Sequence, residues 1–297
     1  MKDLFEYGIT IFINTMARLL PLRAGFLMAD IIAVIFFDLL RIRRNISVDN
    51  YLGVFPEKDK KEAVRAMRKT YMNFCRAFVE TVKFRYAKKE KTGSFLCGKE
   101  GIELLESALS ENRGAVLVTG HFGNWEAGVF ALRRMGFPFT AILKRQHNRY
   151  FNEYVESVFR EMEMNFVYSN SKNPKAYIRA IKNKEILGIV ADQDAGKKGV
   201  FVNFLGKPSS TNIGPAFFHL KYKMPVLIGL GIRINNKIKI VIEKIDIPPG
   251  LEYSEENVKL VTQKHTEALE KYIRKYPDQW SWMHKRWKTR PPKGVSS

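Results

Sequence analysis

One histidine stands where an apolar run gives way to glycines. In "AVLVTGHFGNWEAGVFALRRMG", Ala115 to Gly136, a short apolar stretch ends in Gly-His-Phe-Gly and an amphipathic segment begins at Asn-Trp-Glu. On a continuous helix His121 and Glu126 would lie about 140° apart, because one turn takes about 3.6 residues. Gly120 and Gly123 break that regularity, so the spacing puts His121 on a turn and Glu126 in the first helical turn. A carboxylate folded back onto one imidazole nitrogen leaves the other facing a cleft. That arrangement activates a hydroxyl or a thiol. The other reading is a turn histidine without a task, beside a glutamate that favours a helix N-terminus. The residues alone leave both open.

Two aspartates, Asp192 and Asp194, follow a second apolar run in "ILGIVADQDAG". At strand spacing they point to the same side. They could hold a divalent metal, but no third ligand is evident, so contacts to substrate or to a neighbouring loop are the stronger reading and no metal is expected. Sequence signatures of an enzyme nucleophile or a nucleotide site are absent: there is no GxSxG, HExxH or P-loop, and Gly229-Leu230-Gly231 lacks the third glycine of a dinucleotide turn. Any activated hydroxyl would then belong to the substrate. The segment "YPDQWSWMHKRWKTRPPKG" sets three tryptophans among Lys285, Arg286, Lys288 and Arg290. It reads as aromatic packing onto a core, as a membrane-interface patch, or as a nucleic-acid stacking surface. His265 and His219 share helix faces with apolar residues and read as core histidines. His147 and His284 sit in basic loops and could contact phosphate.

These groups need elements to position them. From about Gly93, short apolar runs alternate with helical stretches: strands at 115–119, 139–143, 186–191 and 225–231, and helices from Asn124, about Tyr150 and about Asn212. Such alternation predicts an α/β fold, a mostly parallel sheet flanked by helices, with ligands at the carboxyl edge of the strands. Asn235-Asn236 reads as a hairpin turn, so the last strand should be antiparallel. The final helix should start at Ser254 as N-cap and stop at Pro277. The tail beyond Pro291 should fray. Residues 1–92 read as helical throughout, giving two regions, 1–92 and 93–297. In 56–84, Val64, Met67, Tyr71, Phe74, Phe78 and Val82 recur at helical spacing, with lysines and arginines mostly on the other face.

A net charge of +20 calls for an anionic partner, and hydrophobic content of 45% excludes a disordered chain. Cys75 and Cys97 lie in no ligand pattern and read as structural thiols in a reducing compartment. The first forty residues hold apolar runs at Tyr7–Ala17 and in "AGFLMA" and "IIAVIFF", broken by Asp30 and followed by Arg41, Arg43 and Arg44. None reaches the roughly 18 uncharged residues of a spanning helix. Helices lying in a membrane interface, with those arginines among headgroups, are the preferred reading. Two buried helices, or one weakly tilted span, are the others.

"HFGNWE" matches the H-x4-D/E motif of glycerolipid acyltransferases. The chain resembles most closely the lipid A biosynthesis (lauroyl/myristoyl) acyltransferase family. Further segments agree in order: "NISVDNYLGVFPEKDKKE", "LKRQHNRYFNEY", "ADQDAGKKGVFVNFLGKPSSTNIGPAFFHLKYKMPVL" and "YPDQWSWMHKRWKTRP". The resemblance covers nearly the whole chain. It implies acyl transfer from an acyl-carrier-protein or coenzyme A thioester to a glycolipid hydroxyl, without a cofactor, at the cytoplasmic face of the inner membrane. It makes His121 the general base and Glu126 its orienting partner. It makes Lys144 or Arg145 a cation for phosphate or glycan, where the family tends to have Tyr-Arg-Pro against Leu143-Lys144-Arg145 here. It matches Asp192 and Asp194 to the family's paired aspartates. The backbone N–H groups near Gly123 and Asn124, where the helix begins, are expected to stabilise an oxyanion. The expected partners are the acyl donor, the glycolipid and the membrane surface, and not nucleic acid.

Overall fold

The structure, a computed structural model, describes residues 2–170 and 175–291. The frayed tail expected beyond Pro291 lies outside them. The chain opens with four helices, α1 (Lys2–Leu19), α2 (Leu22–Val34), α3 (Arg44–Leu52) and α4 (Lys60–Tyr86). α2 runs on into one π-helical turn at Ile35–Leu39. α4 begins at a capping box, in which Asp59 accepts from the Glu62 amide and the Glu62 carboxylate accepts from that of Asp59. α2 turns Gly25, Phe26, Ala29 and Ala33 inward. A β-carbon on Gly25 would stand 2.9 Å from Val79, so glycine lets α2 lie close on α4. The acidic interruptions of the apolar runs have partners there: Asp30 takes a two-pronged bond from Arg76, and Asp38 one from Arg68. No helix among the described residues is long and apolar enough to cross a membrane.

The α/β grammar holds from residue 96. Strands β1 (Leu96–Glu100), β2 (Ala115–Thr119), β3 (Phe139–Leu143), β4 (Asn165–Tyr168), β5 (Ile186–Val190), β8 (Val226–Ile234) and β9 (Lys237–Lys244) form one sheet in the order β1-β9-β8-β2-β5-β3-β4. Pairing is parallel from β8 to β4. Asn235, at φ 55°, makes the turn into β9, which returns antiparallel. β6 (Val200–Phe204) and β7 (Lys207–Thr211) make a separate hairpin. Helices α5 (Ile102–Ser110), α6 (Trp125–Arg134), α7 (Arg149–Glu161), α8 (Lys175–Lys182), α9 (Gly214–Tyr222) and α10 (Glu255–Lys275) connect and cover the strands, and Ser254 caps α10 as expected. The expected strands all form. β1, β4 and the β6–β7 hairpin were not foreseen; β4 is only four residues long, too short to show a pattern.

Alternation along β2 divides the core. Val116 and Val118 face a cluster with Leu187, Ile228, Leu230, Trp280 and Trp282, whereas Ala115 and Leu117 face one with Phe130, Phe139, Leu227 and Ile240. The first cluster also contains Phe37, Val48, Tyr51, Met67 and Tyr71. One apolar core therefore runs across the boundary between 1–92 and 93–297. Trp280 and Trp282 are buried, which settles the tryptophan-rich segment as packing at those two positions.

Candidate active site

The connection after β2 leads on to β3, and the one after β5 leads back to β8. The chain thus leaves two adjacent strands in opposite directions, which opens a crevice at their carboxyl ends. β2 and β5 pair in strict register, Ala115 with Ile186 through Thr119 with Val190. His121 lies two residues past the end of β2, and Asp192 lies two past the end of β5. The register therefore sets them side by side.

His121 Nδ1 lies 2.8 Å from Asp192 Oδ1, and the His121 amide donates to Asp192 Oδ2 at 2.7 Å. Trp280 Nε1 also donates to Oδ2, at 2.9 Å. With Asp192 ionised, Nδ1 carries the proton and Nε2 the lone pair. The imidazole keeps 28% of its surface exposed, while the Asp192 carboxylate keeps 2%. Trp125 packs edge-on against the ring at 5.1 Å between centroids. The Gln193 amide nitrogen stands 3.4 Å from Nε2.

Burial pulls the His121 pKa down, but the charge and hydrogen bond of Asp192, with a smaller push from Glu126, carry it above its ordinary value. Burial alone would raise the Asp192 pKa. The His121 charge and the hydrogen bonds from His121 and Trp280 outweigh that and hold it below the usual carboxylate range.

The expected orienting partner is therefore replaced. The Nδ1 bond goes to Asp192 and not to Glu126, because a neighbouring strand end supplies a carboxylate at hydrogen-bond distance. Glu126 lies exposed in the first turn of α6. Desolvation raises its pKa, partly offset by the His121 charge and the Thr81 hydroxyl. Its charge reaches both His121 and Tyr154.

The expected oxyanion donors are also corrected. The Gly123 amide donates to Gln279 O and the Asn124 amide to Gly231 O, each at 2.8 Å. Gly123 adopts φ +57°, and a β-carbon there would strike Gly231 O at 2.1 Å, so only glycine permits this close turn. Asn124 is 1% exposed and works as a cap. Its Oδ1 accepts from the Ala127 amide and from Thr81, and its Nδ2 donates to Ala77 O and Glu80. These bonds leave the amides of Trp125 and Glu126 as the two at the start of α6 without a partner among the described residues. Glu80 in turn pairs with the buried Arg233 of β8, which ties the α6 N-terminus to α4 and the sheet.

Asp194 has other partners than the imidazole. Its amide donates to His284 Nε2 at 3.0 Å, and its carboxylate accepts from Thr289. His284, expected in a phosphate-contacting loop, instead braces the β5 loop, and desolvation lowers its pKa. Arg286 is buried behind it, donating to Ser210 O and Thr211, and burial lowers its pKa to about 10. Lys144 and Arg145 follow β3, on the same sheet edge but beyond β5; both are exposed, with Arg145 over the Tyr168 ring at 4.3 Å. His147 is exposed; His219 donates through Nδ1 to Met224 O. His265 is a core histidine, its pKa lowered to about 3 by burial. Among the described residues, no three His, Cys, Asp or Glu side chains gather into a metal site.

Sequence reasoning missed Asp192 as the imidazole partner, together with Gln193, Trp280 and His284. The first had a signal: Asp192 and His121 share the same offset beyond two apolar runs. Trp280 had none, since it reaches the site through a loop 88 residues away in sequence.

Known proteins resemble this chain along most of its length. The profile of the family described as bacterial lipid A biosynthesis acyltransferase matches residues 4–289. The lipid A biosynthesis palmitoleoyltransferase of Escherichia coli (strain K12) is 26% identical over 255 residues, covering 85% of this chain and 81% of that protein. A phosphatidylinositol mannoside acyltransferase of Mycobacterium tuberculosis (strain ATCC 25618 / H37Rv) is 24% identical over 262 residues, 83% of this chain and 76% of that protein. One from Mycolicibacterium smegmatis (strain ATCC 700084 / mc(2)155) is 28% identical over 201 residues, 63% and 60% respectively.

Proposed function

The chain belongs to the bacterial lipid A biosynthesis acyltransferase family, and from that premise we propose that it moves a fatty acyl group from a carrier-protein or coenzyme A thioester to a hydroxyl of a glycolipid. The observation that carries this reading is the His121–Asp192 pair, in which the carboxylate binds one ring nitrogen while the imidazole stays part-exposed. Nε2 takes the proton as the acceptor oxygen attacks the thioester carbonyl carbon. The amides of Trp125 and Glu126, at the positive end of α6, are the available donors for the oxyanion. The carbon–sulfur bond then breaks, and the imidazolium returns its proton to the leaving thiolate. Asp192 holds the ring and offsets its positive charge throughout. No acyl-enzyme forms. Glu126, Lys144 and Arg145, along the same edge, would engage the acceptor's hydroxyl, phosphate or sugar groups.

Donor and acceptor both fit the surface. A net charge of +20 suits an acidic carrier protein, coenzyme A and lipid phosphate alike. Outward apolar side chains of α1 and α2 suit attachment to a membrane surface, which in this reading is the cytoplasmic face of the inner membrane. The similarity to phosphatidylinositol mannoside acyltransferases supports a second acceptor class, a mannosylated phosphoinositide.

The test is acyl transfer by the purified protein in detergent, with acyl-carrier-protein and coenzyme A donors and with lipid A precursor and phosphoinositide mannoside acceptors, read by mass spectrometry. One donor–acceptor pair should gain a single acyl group. His121→Ala should lower that rate by about 10²–10⁴-fold, the usual contribution of a positioned base. Near-full transfer by that variant would sink the mechanism.

A further inference from the structure

Between α2 and α3 the chain reverses through two arginines in the left-handed region, Arg41 at φ 50° and Arg43 at φ 56°. The reversal is pinned: the Tyr71 hydroxyl donates to Ile42 O at 2.5 Å, and the Ile42 amide donates to Phe36 O at 2.9 Å. Two consequences follow for the side chains. Leu39, Leu40 and Ile42 stand outside the protein, exposed by 73%, 57% and 43%. Arg41, Arg44 and Lys60 converge on a cavity of about 420 Å³, which Asn45, Val48, Asp49 and Val64 also line.

The charges of this cavity do not cancel. Three cations face one carboxylate, Asp49. Arg44 has a distant partner in Asp38 at 3.6 Å, and Asp38 is already engaged by Arg68. Among the described residues neither Arg41 nor Lys60 has an ion-pair partner. An uncompensated cluster of cations in a concave site, bordered by exposed aliphatic side chains, matches a phosphate joined to hydrocarbon. Cations attract the headgroup and the apolar side chains enter the acyl region beside it.

We infer that this cavity binds the headgroup phosphate of an anionic membrane phospholipid, as a site separate from the catalytic crevice. It shares no lining residue with the His121–Asp192 site. It rests on the proposed function only in taking the substrate to be held in a membrane. Arg41 and Lys60 grip the phosphate, Arg44 backs them, and Asn45 and Asp49 face the polar remainder of the headgroup. Leu39, Leu40 and Ile42 lie under the lipid chains. The bound lipid fixes the depth of α2, and with it the approach of the crevice to the bilayer.

The experiment measures co-sedimentation of the full chain with phosphatidylcholine vesicles containing or lacking phosphatidylglycerol. Wild type should bind the anionic vesicles and bind neutral ones much more weakly. Arg41→Ala with Lys60→Ala should weaken anionic binding roughly 10- to 30-fold. A control that removes the same charge from the far surface, Lys237→Ala with Lys259→Ala, should change it less than about twofold, because those residues are exposed and away from the cavity. Equal losses in the two pairs would make the attraction a property of net charge and overturn the site. So would equal binding to neutral vesicles. Tight binding of free glycerol phosphate, with vesicle binding unchanged by Arg41→Ala and Lys60→Ala, would make it a soluble-ligand site and overturn it too. Acyl transfer in detergent needs no bilayer, so failure of that assay in wild type would strike the proposed function and leave the vesicle result standing.

Discussion

The helical layer at the start of the chain and the carboxyl edge of the sheet follow opposite rules. In α1 and α2 many large apolar side chains face out: Phe5 is 71% exposed and Phe12 65%, with Leu27, Ile31 and Val34 continuing the surface. Asp30 of α2 and Asp38 just beyond it turn instead to Arg76 and Arg68 of α4. At the sheet edge the apolar groups are buried, and the Asp192 carboxylate is withdrawn with them. Asp192 is held by one indole and an imidazole, and Glu80 and Arg233 form a buried pair. Apolar surface left in water is unfavourable unless another surface covers it. Buried charge is unfavourable unless it is paired, and here the pairing also fixes an orientation. The first region is built to meet something outside the chain, the second to hold a few atoms still.

The sharpest way to break this contrast is to take the charge from the second region. Asp192→Asn keeps the shape but no longer favours the tautomer with Nδ1 protonated, and it should lower kcat by about 10²–10⁴-fold. The double variant with His121→Ala should be little worse than either, because the two act as one unit. The pH profile supplies a second reading. A general base works only when unprotonated, so activity falls as pH drops through the His121 pKa. In wild type that acid limb should lie above the ordinary histidine value, since Asp192 raises it. In Asp192→Asn the residual activity should show the limb moved to lower pH. An unmoved limb would mean that Asp192 does not set the basicity of the ring.

A smaller effect is expected from the first region. Phe5→Ser with Phe12→Ser should weaken binding to vesicles roughly tenfold to a hundredfold, about 1.5–3 kcal/mol of lost apolar burial. Turnover in detergent should stay within about twofold of wild type, since neither residue touches the crevice. Vesicle binding that is unchanged would show that this apolar face serves some other contact. Point changes are the suitable probe, because deleting residues 1–44 would uncover the face of α4 against which Phe26, Ala29 and Ala33 pack.

The smallest effect should come from Glu126→Gln. It makes no hydrogen bond to the imidazole, so kcat should fall less than tenfold, well short of Asp192→Asn. The acid limb should move down slightly, because Glu126 is the lesser of the two carboxylates raising His121. A loss as large as that of Asp192→Asn would place Glu126 in the proton transfer itself, and a change confined to KM would assign it to acceptor binding.

Much was legible in the chain itself. The period-two and period-3.6 patterns gave β2, β3, β5, β8 and the helices α6, α7 and α9, but not α8. Asn235-Asn236 gave the antiparallel return, and Ser254 the start of α10, because turn and cap chemistry is local and depends on few residues. The glycines at 120 and 123 marked His121 as lying in a tight turn, and Gly123 carries the positive φ that such a turn demands. Which carboxylate meets the imidazole was not local. Glu126 is five residues away along the chain and Asp192 is 71, yet strand order and register bring the distant one to 2.8 Å. The roles of Trp280 and His284 were likewise decided by where the C-terminal segment packs, and the cavity of Arg41, Arg44 and Lys60 by how α3 and α4 meet. Sequence determines what each segment can become. Which ends lie side by side is fixed only when the whole core closes, because the apolar faces that choose neighbours are shared among all of them.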